Sequence, residues 1–383
     1  MELARTEEER AFQATLRRFC EADVAPHAIA VDRGEHSIWE AYRGLGRHGL
    51  LAPAFPEEYG GGGGGWAMLA IHMAELARAC ASTALSTGAS ILLGGGTVLR
   101  FGTEEQKRRY LPRLASGESI ASLALTEPGA GSDVMSIATR AERDGDGWVL
   151  RGQKTFISNA PVADLFVVYA ATGERDGKKT LGTFLVEGGA PGLSAGPPMA
   201  KMGMRGSPTS EVFPEDVRVP PENVLGDPER GFAQAMAPLT GERALAPALA
   251  LGVLERCPER CVAYAVERVQ FGRPIASFQA IQFKLARMAA DVETLKAVLH
   301  SVIDGLEAGR DVRRLVSAGK VLAGEASVRG TLEAIQVLGG YGYVEEFEVE
   351  RALRDVKLLE IGAGTTEVQL LVIARELLGE LAR

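Results

Sequence analysis

At 383 residues the chain exceeds what one ordinary hydrophobic core serves, so two or three packed units are expected. With 46% hydrophobic and 24% charged residues it has the make-up of a globular enzyme, and no apolar run reaches membrane-spanning length. A net charge of −8 argues against a nucleic-acid binder, which presents a basic face, while leaving room for one basic pocket facing a phosphate-bearing ligand.

Cys20, Cys80, Cys257 and Cys261 do not make a disulfide framework, so a reducing, cytoplasmic setting is expected. Cys257 and Cys261 could share a helix face. No His or Cys stands near them to complete a metal site, so two plain thiols and no metal are expected. The charged opening MELARTEEER does not read as a signal peptide, and GELAR matches no anchor or peroxisomal signal.

Residues 1–117 read as helices. Thr6 followed by three glutamates predicts an N-cap with acids in the first turn. Leu3, Phe12, Leu16 and Phe19 then recur at helical spacing, and WAMLAIHMAELARAC (66–80) predicts a second strong helix. Between them PEEYGGGGGGW reads as a flexible turn, because a run of glycines cannot pack a core. It lacks the preceding strand that a phosphate cradle needs.

The grammar changes over residues 118–228. GWVLRGQKTFIS, ADLFVVYAAT, KKTLGTFLVE and EDVRVP are short β-rich runs, and DGDG at 144–147 signals a hairpin. From 229 to 383 the pattern is helical again, with one long helix ending at Gly309 and another at Gly339–Gly340. The layout is α, then β, then α.

Three stretches carry chemistry-bearing residues. LALTEPGAGSD (123–133) offers hydroxyls and backbone N–H groups to a planar polar ligand. In KTFISNA (154–160), Phe156 and Ser158 are two apart on a strand and can face one side. In ERVQFGRPIASFQAIQF (267–283), Arg268 and Phe271 stand on a helix end, where they can present a cation and an aromatic to a phosphate or a base. Taken singly, each also reads as an ordinary turn, core aromatic or solvated charge.

In this order, LTEPGAGSD, MGMRGSPT, EDVRVP, QFGRPIASFQAIQFKLA, EAIQVLGGYGY and GTTEVQ closely resemble the acyl-CoA dehydrogenase family along essentially the whole chain. The resemblance implies an α+β fold: an N-terminal α-helical domain, a middle β-barrel-like domain and a C-terminal four-helix bundle. It implies FAD between the β domain and the bundle, and a homotetramer built as a dimer of dimers, a neighbouring subunit completing the site. Leu125, Thr126, Gly131 and Ser132 would line the flavin or the thioester arm. Phe156 stands where the family usually has Trp, and Ser158 where it usually has Thr. Arg268, Phe271, Gln279, Gln336 and Gly340 would reach the FAD of a partner subunit. Thr365 and Glu367 would lie near the adenosine, although the family often has Gln where this chain has Glu367.

The family's reaction is an α,β-dehydrogenation. A carboxylate removes the α-proton of an acyl thioester while the β-hydrogen leaves as hydride to the flavin, and electrons pass on to an electron-transfer flavoprotein. In many members the base is a Glu immediately before Gly-Thr. Here that residue is Ala363, whose backbone N–H can still polarise the thioester carbonyl. A minority of the family, including isovaleryl-CoA and long-chain types, carry a Glu directly before an Arg on a C-terminal-domain helix. This chain has Glu242–Arg243 there, which makes Glu242 the expected base and Arg243 a substrate-site residue, with Glu360 as the rival. Successive helical residues diverge by about 100°, so the two need not form a local ion pair. Pro238, Pro247 and Pro258 nearby are expected to kink that helix.

The substrate carrier expected is coenzyme A or the phosphopantetheine of a carrier protein, and the base position leans toward short or branched acyl chains. Ala89 and LLGGG (92–96) are expected to leave room for the acyl group. A flavin oxidase or monooxygenase on the same fold is the second reading. A DNA-protecting relative ranks last, because the chain ends ARELLGELAR rather than in a basic region.

Overall fold

The computed structural model describes residues 3–379. Helices come first: α1 (Glu7–Phe19), α2 (Ala28–Arg33), α3 (Trp39–Arg47), α4 (Trp66–Ala79), α5 (Ala81–Thr87), α6 (Gly96–Phe101) and α7 (Glu104–Ala115). At the head of α1, Thr6 Oγ1 accepts from Glu9 N at 3.1 Å, and the Glu9 carboxylate accepts from Thr6 N at 3.1 Å. That reciprocal cap satisfies two backbone donors the helix leaves free. Thr103 and Gln106 repeat it at the head of α7.

The glycine run after Tyr59 is not the slack turn its composition suggests. The N–H groups of Gly61, Gly62, Gly63 and Gly64 donate to the carbonyls of Pro56, Ala52, Phe55 and Pro53. A Cβ at Gly61 would lie 2.2 Å from the Phe55 oxygen. These glycines serve close backbone approach rather than flexibility.

The middle of the chain forms β1 (Ala121–Ala124), β2 (Arg140–Asp144), β3 (Gly147–Arg151), β4 (Lys154–Ser158), β5 (Leu165–Arg175), β6 (Lys178–Glu187), β7 (Leu193–Ala195) and β8 (Thr209–Val219). Among the described residues they make one sheet in the order β1-β5-β2-β3-β8-β4, with β6 on β5 and β7 on β8. The DGDG hairpin joins β2 to β3, with Asp144 opposite Gly147 and Gly145 at φ +61°. The sheet curls until its two ends meet. Thr155 N donates to Thr126 O at 2.9 Å, and Asn159 Nδ2 donates to Ala121 O at 3.3 Å. Trp148, Leu150, Ile157, Phe166, Phe184 and Val217 fill its interior.

The last third is α8 (Gly231–Glu267), a short hairpin of β9 (Val269–Gln270) and β10 (Arg273–Pro274), α9 (Gln279–Glu307), α10 (Arg313–Leu338), α11 (Val349–Val356) and α12 (Thr366–Leu378). The helices α8, α9 and α10 pack on one another, and α12 lies along α10. Helix α8 continues through Pro238, Pro247 and Pro258 without ending at any of them. Pro238 and Pro247 are buried, so packing outweighs the lost hydrogen bonds. Because α4 lies along α8, Ile71 and Leu76 of α4 share one core with Leu251 and Leu254 of α8 and Leu295 of α9.

Phe271 is not on a helix end. The helix stops at Glu267, and Phe271 (φ +53°) with Gly272 (φ +79°) makes the two-residue turn of the β9–β10 hairpin. Two successive positive φ values suit the twist of such a hairpin.

Candidate active site

An apolar cavity opens where α4, α8 and α10 meet the segment Lys357–Gly364. Met73, Leu85, Ala89, Leu92, Leu245 and Leu249 form much of its wall, and Glu242 and Lys320 are the ionisable side chains on it. Ala89 and Leu92 belong to a π-helical stretch, Gly88–Gly95, whose wider turn displaces side chains from ordinary helical register. The remaining glycines of LLGGG do not line the cavity as expected. A Cβ on Gly94 would lie 2.5 Å from the Ala121 side chain, and one on Gly95 would lie 2.5 Å from the Phe55 ring, so these two serve packing.

Met204, from MGMRGSPT, reaches the same wall with φ +49°. Its N–H donates to Asp355 Oδ1 at 2.5 Å, while Arg354 holds Met202 O at 3.2 Å and the Asp32 carboxylate at 2.6 Å. That cluster ties the N-terminal helices, the middle domain and α11 behind the cavity. Burial pushes Asp355 up to about 6.

Glu242 and Arg243 diverge as successive helical residues should. The Glu242 carboxylate forms no hydrogen bond or ion pair with another described residue. Glu242 is half-buried and lines the cavity. Burial raises its pKa above the usual carboxylate range, and Lys320 and then Arg243 pull it back. The Arg243 Nε donates instead to Ala363 O at 2.7 Å.

Ala363 lines the cavity with φ +55°, an uncommon conformation for a residue bearing a Cβ. Its N–H makes no hydrogen bond to another described residue, while the carbonyls around it are pinned. Lys320 Nζ donates to Leu359 O at 3.1 Å and to Gly364 O at 2.7 Å. Gln369 Nε2 reaches Gly364 O at 3.3 Å. Glu360 pairs with Lys357, lies against Gly324 and is not on the cavity wall.

Lys320 is the residue that sequence reasoning missed. It is 2% exposed on the buried side of α10, among Val316, Ser317, Gly319, Ala323 and Gly324. A lone charge amid small uncharged residues is the signal that marks it. Burial, opposed by Glu242, pushes it down to about 8.

The segment carrying Leu125 and Thr126 lies against β4, where Thr155 N donates to Thr126 O at 2.9 Å. The agent is Lys154, fully buried, which donates to Leu125 O at 3.1 Å and to Glu127 Oε1 at 2.7 Å. Glu127 also accepts from Ala138 N and Thr139 N, so one ion pair fixes three segments. A bulge in β4 turns Phe156 (φ +56°) outward, leaving it 68% exposed. Gly131 and Ser132 lie on the exposed loop beyond, where a Cβ on Gly131 would meet nothing within 4 Å.

A second cleft, at the far end of the bundle, collects Arg268 and Gly340 with Tyr264 and Tyr341. Phe271, Gln279, Gln336 and Glu367 are exposed and line neither cavity; Thr365 caps α12 by accepting from Val368 N at 3.2 Å. The chemistry of the predicted set is compatible with FAD: Phe156 offers an uncovered ring for a planar polar ring system, Thr126 and Ser158 carry hydroxyls, and Arg268 carries a cation for phosphate. Phe271, 94% exposed, gives a further face that water covers poorly.

Comparison with known proteins bears on the family and the fold. Family models for the acyl-CoA dehydrogenase N-terminal, middle and C-terminal domains match residues 6–118, 122–217 and 229–378. The chain is 43% identical to a probable acyl-CoA dehydrogenase of Bacillus subtilis (strain 168), covering 97% of this chain and 98% of that one. It is 41% identical to the mitochondrial isovaleryl-CoA dehydrogenase of Oryza sativa subsp. japonica, covering 96% and 91% respectively. The structure of butyryl-CoA dehydrogenase from Megasphaera elsdenii superposes with a TM-score of 0.94 at 35% identity, covering 99% of this chain and all of that one. With its three domains in family order and its cavity at their junction, the chain belongs to the acyl-CoA dehydrogenase family.

Proposed function

We propose that the protein oxidises a saturated acyl thioester to the 2-enoyl thioester, with Glu242 taking the α-proton. One observation carries this reading: Glu242 and Ala363 line the same apolar cavity. The acyl chain lies among Met73, Ala89, Leu92 and Leu249, which exclude water. The thioester oxygen accepts from the free Ala363 N–H, which stabilises charge developing on that oxygen. The Glu242 carboxylate, desolvated and without a hydrogen-bond partner of its own, takes the proton at a side-chain oxygen. Its raised pKa makes it the stronger base. Glu360, paired with Lys357 away from the cavity, is poorly placed for that task.

FAD, when bound, supplies the two-electron acceptor that such an oxidation requires. On this reading Leu125, Thr126, Gly131, Ser132, Phe156 and Ser158 hold its ring system or the thioester arm. Arg268, Phe271, Gln279, Gln336 and Gly340 serve the cofactor of a neighbouring subunit, and Thr365 and Glu367 lie near the adenosine. A homotetramer is supported by apolar surface left open on the bundle at Val262, Val266, Phe283, Leu332 and Leu377. We assign the protein to the cytoplasm and to fatty acid metabolism, with an electron-transfer flavoprotein as acceptor. Among the described residues no helix is long and apolar enough to cross a membrane.

The test is anaerobic mixing of the purified flavoprotein with straight, branched and carrier-bound acyl thioesters while the visible flavin band is followed. Bleaching by a short or branched acyl-CoA is expected. Bleaching only by carrier-protein thioesters would move the substrate class, and none by any thioester would overturn the reading.

A further inference from the structure

The turn carrying Ala363 is bracketed by one side chain. Lys320 Nζ reaches Leu359 O at 3.1 Å and Gly364 O at 2.7 Å, and so holds both ends. A neutral donor can serve such carbonyls, as Gln369 does at Gly364 O. What a lysine adds is charge, and burying an ammonium at 2% exposure is costly unless that charge is used. Among the described residues, the charged groups near enough to act on Glu242 are Lys320 from α10 and Arg243 from its own helix α8. The walls from α4, from Gly88–Gly95, from Met204 and from the 358–363 turn add apolar groups and backbone to the cavity. Arg243 is committed to Ala363 O, and Lys320 is the cation on the cavity wall itself.

Resting on the reading of Glu242 as the base, we propose that Lys320 is a positioning residue with two tasks. It fixes the Leu359–Gly364 turn so that the Ala363 N–H meets the thioester oxygen, and its charge keeps Glu242 in the carboxylate form. The ammonium makes no direct ion pair with Glu242, so the carboxylate stays free to accept a proton. Burial raises Glu242 and lowers Lys320 to about 8, so each ion opposes the other's neutralisation. Without the lysine charge, desolvation acts on Glu242 with only Arg243 against it.

Lys320→Gln keeps a donor and removes the charge; Lys320→Arg keeps the charge and changes the reach. Both are prepared as holoenzymes. The carbonyl band of the protonated Glu242 carboxyl, identified by its loss in Glu242→Gln, is followed against pH by infrared difference spectroscopy, beside the pH profile of anaerobic bleaching. In Lys320→Gln the titration is expected about one pH unit higher, with the acid limb of bleaching moving alongside and rate recovering at higher pH. Lys320→Arg is expected to titrate like wild type while its KM rises. An unmoved Glu242 titration in Lys320→Gln, with bleaching lowered equally at every pH, would overturn the proposal. Should Lys320→Gln not fold, a displaced titration in Lys320→Arg overturns it as well. A Glu242→Gln variant that bleaches like wild type removes the base assignment separately, and the infrared titration still decides whether Lys320 governs Glu242.

Discussion

Arg243 Nε donates to the Ala363 carbonyl oxygen across 2.7 Å, joining helix α8 to the turn 120 residues later in the chain. The contact turns one half of the Glu–Arg pair away from the other. It leaves Glu242 on the cavity and fixes Ala363, which lines the same space. A hydrogen bond from a charged donor is worth about 1.5–3 kcal/mol. Arg243→Met is therefore expected to lower kcat/KM by about 10- to 100-fold in a folded protein that retains flavin. Steady-state kinetics with a circular-dichroism control checks this; a change below about threefold would show that the turn holds without the arginine.

Ala89 governs the acyl end of the same cavity. Leucine there fills space that Leu92 and Leu249 leave open. Ala89→Leu is expected to raise KM for the longer and branched thioesters by about tenfold or more while sparing the shortest chain. Equal losses across a chain-length series would place the acyl group elsewhere.

His72 makes stability pH-dependent. It is buried in α4, its Nε2 has no hydrogen-bond partner, and burial pushes it down to about 4. Its folded value thus lies below the unfolded value of 6.5, so the unfolded chain binds the extra proton between those limits. Stability contributed by neutral His72 is present above that window and is lost as pH falls through it, by roughly 3 kcal/mol. His72→Leu is expected to flatten the fall. Urea midpoints at about pH 7 and about pH 4.5 measure it, and parallel declines in both proteins would refute the assignment.

The parts of this molecule that were legible in its sequence are those whose causes are local. The Thr6–Glu9 cap and the Asp144–Gly147 hairpin each rest on residues a few positions apart, and both stand as read. The order of helix, strand and helix was legible in hydrophobic periodicity for the same reason. Where the cause lies far along the chain, composition misleads. Six glycines suggest slackness until Pro53 and Phe55 are seen lying against them. Gly94 and Gly95 suggest room for an acyl chain until Ala121 and Phe55 fill it. Phe271 reads as helical because its Phe-Gly turn lacks the usual Asn-Gly or Asp-Gly signal. Lys320 passed unnoticed because its partners, Leu359 and Gly364, lie about 40 residues downstream and offer only backbone.

The central claim, that the proton leaves through Glu242, is tested most directly by anaerobic reduction of Glu242→Gln and Glu360→Gln beside wild type. Each is mixed with the thioester that bleaches wild type fastest, and binding is measured separately with the unreduced complex. The expected result is that Glu242→Gln binds but bleaches at least about 10²-fold more slowly, while Glu360→Gln stays within a few-fold of wild type. If Glu242→Gln bleaches at the wild-type rate, or if Glu360→Gln alone stays yellow, Glu242 is not the base.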